Sequence, residues 1–171
     1  RCAPLGLREL LYRAARSVNT LVARDYGFSL APRINAAGRM EEARVAYDLL
    51  MTEDREDARR LAMKVDALNA SRKTEEQRMD REARAQVESE AGEKAAIVVR
   101  GEDWHPGVAG IVASRLLESY HVPVAVTVGD TGSVRAPEGY NVHDALTSSA
   151  EHLVRFGGHA AAGGFTVKDA P

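Results

Sequence analysis

Apolar side chains recur at helical spacing near the start of the chain, where Leu7, Leu10, Leu11, Ala14 and Ala15 predict an amphipathic helix over 7–15. Ala43, Ala46, Tyr47 and Leu50 form the apolar face of a second helix over 41–51. From 54 to 91 there is no Gly and no Pro, and Leu61, Val65, Leu68, Met79, Ala83 and Val87 keep helical spacing around a polar gap at 72–77. A continuous helix there would be roughly 55 Å long at 1.5 Å per residue. The gap breaks any heptad pattern, so the spacing predicts a connector helix, not a coiled coil. Gly92 suits its C-terminal cap. After it the period shortens: strand 95–100, helix 108–120, strand 122–128, a turn at 129–132 and a short strand at 133–135, then helix 142–153 and strand 164–167. Strands alternating with helices predict an α/β fold: N-terminal helices and a long connector helix, followed by a mixed β-sheet flanked by helices. Val122–Val128 is β-branched and almost wholly apolar, as a buried central strand would be, with Pro123 at its tolerated first positions.

The 171 residues hold one ordinary core plus an appended element, and no apolar run approaches the roughly 20 residues of a membrane span. No signal-peptide pattern opens the chain, and the composition is that of a soluble intracellular protein. The lone Cys2 has no partner for an internal disulfide and reads as incidental. Net charge is −2, which argues against indiscriminate, charge-driven nucleic-acid binding. The distribution is more telling. Residues 101–171 carry eight carboxylates, and their only arginines, Arg115, Arg135 and Arg155, each fall in or beside a glycine-containing segment. Arginines placed so suit a few positioned phosphates.

Three segments carry candidate chemistry. Phe156–Phe165 packs His159, four glycines and three alanines into ten residues, so a backbone or ligand can come very close at Gly157 and Gly158. His159 there can donate a hydrogen bond to a phosphate oxygen; the plainer reading is a glycine-rich turn with a surface histidine. Trp104–Arg115 opens a helix with Pro106 and Gly107 at its mouth, leaving N–H groups uncovered beside His105. Leu30–Met40 places Arg33, Asn35 and Arg39 between Pro32 and Gly38, where guanidiniums suit a phosphate or carboxylate. Trp104 suits stacking on a base or wedging between helix and sheet. His121 reads as a helix C-terminal cap, His143 as a first-turn surface residue and His152 as structural or solvated.

Read as P-R-I-N-A-A-G-R over 32–39, H-P-G-V-A-G-I-V-A-S-R over 105–115, G-S-V-R over 132–135 and F-G-G-H-A-A-A-G over 156–163, these segments resemble RecJ-type single-stranded-DNA exonucleases of the DHH phosphoesterase superfamily. The resemblance spans nearly the whole chain. One departure is Ala136-Pro137, where the family usually continues G-S-x-R with serine. Such enzymes bind two divalent metals through aspartates and an Asp-His-His triplet, and this chain has neither that triplet nor an Asp-x-Asp. The expected organisation is therefore a C-terminal fragment: 1–53 the helical end of the DHH catalytic domain, 54–91 the connector and 92–171 the DHH-associated nucleic-acid-binding domain.

The resemblance implies the substrate-binding portion of a cytoplasmic, monomeric exonuclease that degrades single-stranded DNA 5′ to 3′ in repair and recombination. Mn²⁺ or Mg²⁺ is expected in the parent enzyme and no metal ligand in this fragment, which alone would be inactive. His159, supported by His105, would face the scissile end, while Arg33, Asn35, Arg39, Arg115, Ser133, Arg135, Gly157 and Gly158 would hold the strand. Two alternatives stay open: a DHH phosphoesterase of short oligonucleotides or nucleoside phosphates, and a non-catalytic nucleic-acid-binding adaptor.

Overall fold

A computed structural model describes residues 3–14, 18–89, 92 and 94–168. Cys2 and the expected ends of the first helix at Ala15 and of the connector at Ala91 lie outside the described residues. The chain falls into two compact units, Arg1–Thr74 and Glu75–Pro171.

The first unit is helical. Helix α1 (Leu5–Arg13) precedes a 3₁₀ turn (Val18–Thr20), the short α2 (Ala23–Asp25) and a π-helical turn (Tyr26–Leu30), then α3 (Ala31–Met40) and α4 (Arg44–Met51). Helix α5 (Arg55–Ser89) begins here and continues into the second unit. Asp54 caps it by accepting the Asp57 N–H at 2.8 Å. Leu10, Leu11, Leu30, Leu49, Leu61, Ala62 and Val65 form the unit's core. At the α1–α4 crossing Gly6 lies so close to the Leu49 carbonyl that a Cβ would stand 1.7 Å from its oxygen. The Pro- and Gly-bracketed segment 30–40 is itself a helix. Pro32 sits in the first turn, where its missing N–H costs nothing, and Gly38 gives room to Ala43.

The second unit is a five-stranded mixed sheet with helices on both faces. Strands β1 (Ile97–Arg100), β2 (Val124–Val128), β3 (Thr131–Arg135), β4 (Leu153–His159) and β5 (Ala162–Val167) lie in the order β1-β2-β3-β5-β4, with only β1–β2 parallel. Helix α6 (Pro106–Tyr120) is the crossover between the parallel neighbours β1 and β2 and packs on β2 and β3. Ile97, Val99, Val124 and Val126 are buried, as are Val108, Val112 and Leu116 of α6. β2 is covered fully on one face only, since Ala125 and Thr127 remain partly exposed. Helix α7 (Val142–Ser148) is capped by Asn141 and covers the opposite face, where Val142, Leu146 and Leu153 pack with Val134, Phe156, Phe165 and Val167. The predicted helix 142–153 thus ends at Ser148, and Leu153–His159 is a strand.

The second half of α5 is fastened to this sheet by polar side chains. The Gln86 amide donates to the Arg100 carbonyl at 2.7 Å and accepts the Arg100 N–H at 3.0 Å, so it satisfies backbone groups on the open edge of β1. Trp104 is buried and donates Nε1–H to Glu82 at 2.6 Å, with its ring against Gly101. It is a wedge, and base stacking is excluded by its burial. Glu75 accepts from Arg78 Nη2 at 2.7 Å and Nε at 3.0 Å, and from the His105 N–H at 3.1 Å.

The Arg78 hydrogen bond, reinforced by the His105 N–H against the opposing effect of burial, holds the Glu75 carboxyl below its ordinary value of 4.5. A depressed carboxylate contributes stability above that ordinary value and loses it as pH falls through the folded-state value. Glu75→Gln should therefore lower stability near neutral pH and flatten the acid limb of the stability profile below about 4.5, measured by denaturant unfolding at graded pH. Equal acid slopes for variant and wild type would remove this contribution.

Candidate nucleic-acid interface

Paired residues of an antiparallel ladder point to the same face, so the registers sort the motif residues. Ser133 pairs with Gly164 and Gly164 with Gly157; Arg135 pairs with Ala162 and Ala162 with His159. Val124 and Val126, opposite Arg135 and Ser133, are buried on the face that α6 covers. Ser133, Arg135, Gly157, Gly164 and His159 therefore share that face. Helix α6 packs on β2 and β3, and over β5 and β4 the face is open: Gly157 and His159 are exposed.

The four glycines of β4 and β5 divide by the same alternation. Gly158 has φ +156°, and a Cβ there would stand 2.3 Å from the Ala162 carbonyl oxygen. A Cβ on Gly163 would press into Val142 and Leu146 of α7, at 2.8 and 2.9 Å. Both are demanded by the fold. At Gly157 a Cβ would meet nothing within 4 Å, and at Gly164 only the Gly132 carbonyl oxygen at 3.5 Å, an ordinary contact. No packing requires glycine at these two positions, which lie on the open face beside Ser133 and Arg135.

The arginine is placed by a fifth glycine. A Cβ on Gly110 of α6 would come 2.7 Å from Arg135 Nη2 and 3.6 Å from Ser133 Oγ, so the missing side chain leaves room for the guanidinium between helix and sheet. Arg135 also donates Nη1–H to the Val134 carbonyl at 2.7 Å, which holds it extended along the strand. His159 accepts the Ala161 N–H on Nδ1 at 3.4 Å, leaving Nε2 as the outward nitrogen.

The remaining candidates are placed differently. His105 is the N-cap of α6, accepting the Gly107 N–H on Nδ1 at 3.1 Å. Arg115 pairs with the nearly buried Glu76. Arg33, Asn35 and Arg39 lie on α3, in the other unit. Arg33 donates to Asp66 at 2.8 Å and to the Ser29 carbonyl at 2.7 Å, whereas Asn35 and Arg39 are exposed. His121 does cap α6, in the left-handed region at φ 57°. Gly110, Gly164 and Arg155 were not singled out by sequence as members of this face. For Gly164 and Arg155 the signal was the period of two along β5 and β4, hidden while the glycine-rich segment read as a turn.

Residues 92–171 match the DHHA1 domain family. The RecJ-type resemblance carried by the four motifs extends over nearly the whole chain. It is 39% identical over 170 residues to the single-stranded-DNA-specific exonuclease RecJ of Bacillus subtilis, covering 96% of this chain and 22% of that protein. With RecJ of Escherichia coli the identity is 38% over 182 residues, covering 99% and 31%. The crystal structure of Thermus thermophilus RecJ in complex with Mg²⁺ superposes with a TM-score of 0.87 at 39% identity, over 96% of this chain and 26% of that one. The chain thus spans between about a fifth and a third of the curated relatives it matches. RecJ structures hold Mg²⁺ or Mn²⁺, but the described residues here do not fit such an ion. Among the described residues no three His, Cys, Asp or Glu side chains gather closely enough to bind one. No helix of the described residues is long and apolar enough to cross a membrane.

The two glycines of β4 should separate in unfolding experiments. Gly158→Ala should lose roughly 1–3 kcal/mol through left-handed strain and overlap with Ala162. Gly157→Ala should be neutral or stabilising by about 0.5 kcal/mol, because it only restricts the unfolded chain. Equal losses at both would mean that Gly157, too, is needed for folding.

Proposed function

We propose that this chain is the substrate-holding portion of a RecJ-like, single-stranded-DNA-specific exonuclease, and that the open face of β3, β5 and β4 lies against the phosphodiester backbone. The observation that carries the reading is the pair Gly157 and Gly164. The fold leaves both with room for a side chain, on a face already furnished with a positioned guanidinium, a serine hydroxyl and an imidazole. A bare backbone surface of this kind lets a phosphate approach closely while Arg135 and Ser133 supply charge-assisted and neutral hydrogen bonds. The outward Nε2 of His159 can donate to a phosphate oxygen near the end of the strand. Such contacts position a strand without reading its sequence.

The reaction is phosphodiester hydrolysis proceeding 5′ to 3′, in the service of repair and recombination. Its divalent metals are held by residues of the longer protein outside this chain. The curated relatives' description as single-stranded-DNA-specific exonucleases supports this reading over a nucleoside-phosphate phosphoesterase. The 171-residue chain by itself should release no nucleotides from labelled single-stranded DNA in Mg²⁺ or Mn²⁺. Metal-dependent release that His159→Ala abolishes would contradict it.

In the full-length protein, Arg135→Ala should weaken single-strand binding by about 1.5–3 kcal/mol and reduce the log–log salt slope by about 0.7, as expected for one lost phosphate contact. Gly157→Val should weaken binding more than tenfold with an unchanged melting temperature, because its side chain fills only the space over the open face. Normal binding by a stably folded Gly157→Val variant would exclude a phosphate path across this face.

A further inference from the structure

The open face extends past the motif residues toward the other end of β4. Arg155 pairs with Thr166, and Thr166 with Thr131, which puts all three on the face that carries Gly157 and Gly164. Arg155 donates Nε–H to the Thr166 hydroxyl at 3.2 Å. Arg78, Arg84, Arg100 and Arg115 in the same unit each pair with a carboxylate. Arg155 instead has a neutral described partner and is exposed. Its positive charge is therefore not offset by a carboxylate, while the threonine fixes the plane of the guanidinium and leaves its terminal nitrogens to donate. Thr131, Arg155, Gly157, Gly164 and Thr166 are among the residues that line a shallow cleft of about 310 Å³. That size is at the lower end for small-ligand sites.

We propose that Arg155, with Thr131 and Thr166, forms a second phosphate subsite, which takes a phosphodiester group of the same single strand further along its length. The inference rests on the strand path proposed above. Arg155 and His159 are four positions apart on β4, about 13 Å at the rise of an extended strand, which exceeds the roughly 3.4 Å per nucleotide of a stacked single strand. The two ends of the face therefore serve different phosphates. A substrate of two nucleotides engages Ser133 and Arg135 without reaching Arg155, whereas a longer strand engages both. The second unit in this account favours longer strands by a contact made only after the terminal nucleotides are seated.

The test uses the full-length protein and measures affinity for a deoxythymidine dinucleotide and for a longer oligodeoxythymidylate by competition against a labelled strand. Arg155→Ala should weaken binding of the long strand about tenfold and lower its salt slope by about 0.7, leaving the dinucleotide unaffected. Arg155→Lys, which keeps the charge, should recover most of the loss. If Arg135→Ala weakens the long strand while Arg155→Ala does not, the subsite is wrong and the strand path stands. If neither variant weakens it, both fall. A lowered melting temperature for Arg155→Ala, with no recovery by lysine, would assign Arg155 to the fold and overturn the proposal.

Discussion

The pairing of Gly157 with Gly164 and of Gly158 with Gly163 governs the whole outer half of the sheet. A ladder built from four glycines offers almost no side-chain burial, so it contributes little to its own stability. Its hold comes from one face. There Phe156 and Phe165 flank the glycines and pack with α7, and Gly163 lets Val142 and Leu146 settle directly on backbone. Anchoring on that face leaves the other one free of any packing duty. A flat backbone surface, bordered by Ser133, Arg135 and His159, follows from this division.

A second constraint keeps the border in place. Helix α6 approaches β3 closely because Gly110 has no side chain, and the space so left is occupied by the Arg135 guanidinium. The helix is in turn located by α5, whose Glu75, Glu76, Glu82 and Gln86 bind the His105 N–H, Arg115, the Trp104 indole and the Arg100 backbone. Polar and charged residues on α5 are thus attachment points for the strand and helix beneath the site. Removing one would disturb the position of Arg135 without touching it.

Periodicity made long elements legible. The Gly- and Pro-free run became α5, and β1, α6, β2 and β3 fell within a few residues of their expected places because apolar patterns and Gly punctuation agreed there. Two elements were not predicted for one physical reason, that glycine and proline have uses besides ending structure. Pro32 starts α3 and Gly38 admits Ala43, so the bracketed segment carried no predicted helix. Gly157 and Gly158 interrupt the apolar pattern of β4, so a strand looked like a helix end and a turn. The motif residues were visible in sequence, but their sorting was not. Only the ladder register separates Gly157 from Gly158, and only side-chain geometry commits Arg33 to Asp66 and Arg115 to Glu76.

The central claim is that a phosphodiester backbone lies on the open face of β3, β5 and β4. A crystal structure of the full-length protein with a single-stranded oligonucleotide tests it most directly. The account predicts phosphate oxygens within hydrogen-bond distance of Ser133 and Arg135, and a sugar–phosphate segment in van der Waals contact with the Gly157 and Gly164 backbone. A strand bound elsewhere, with Gly157 and Gly164 facing solvent, would contradict it.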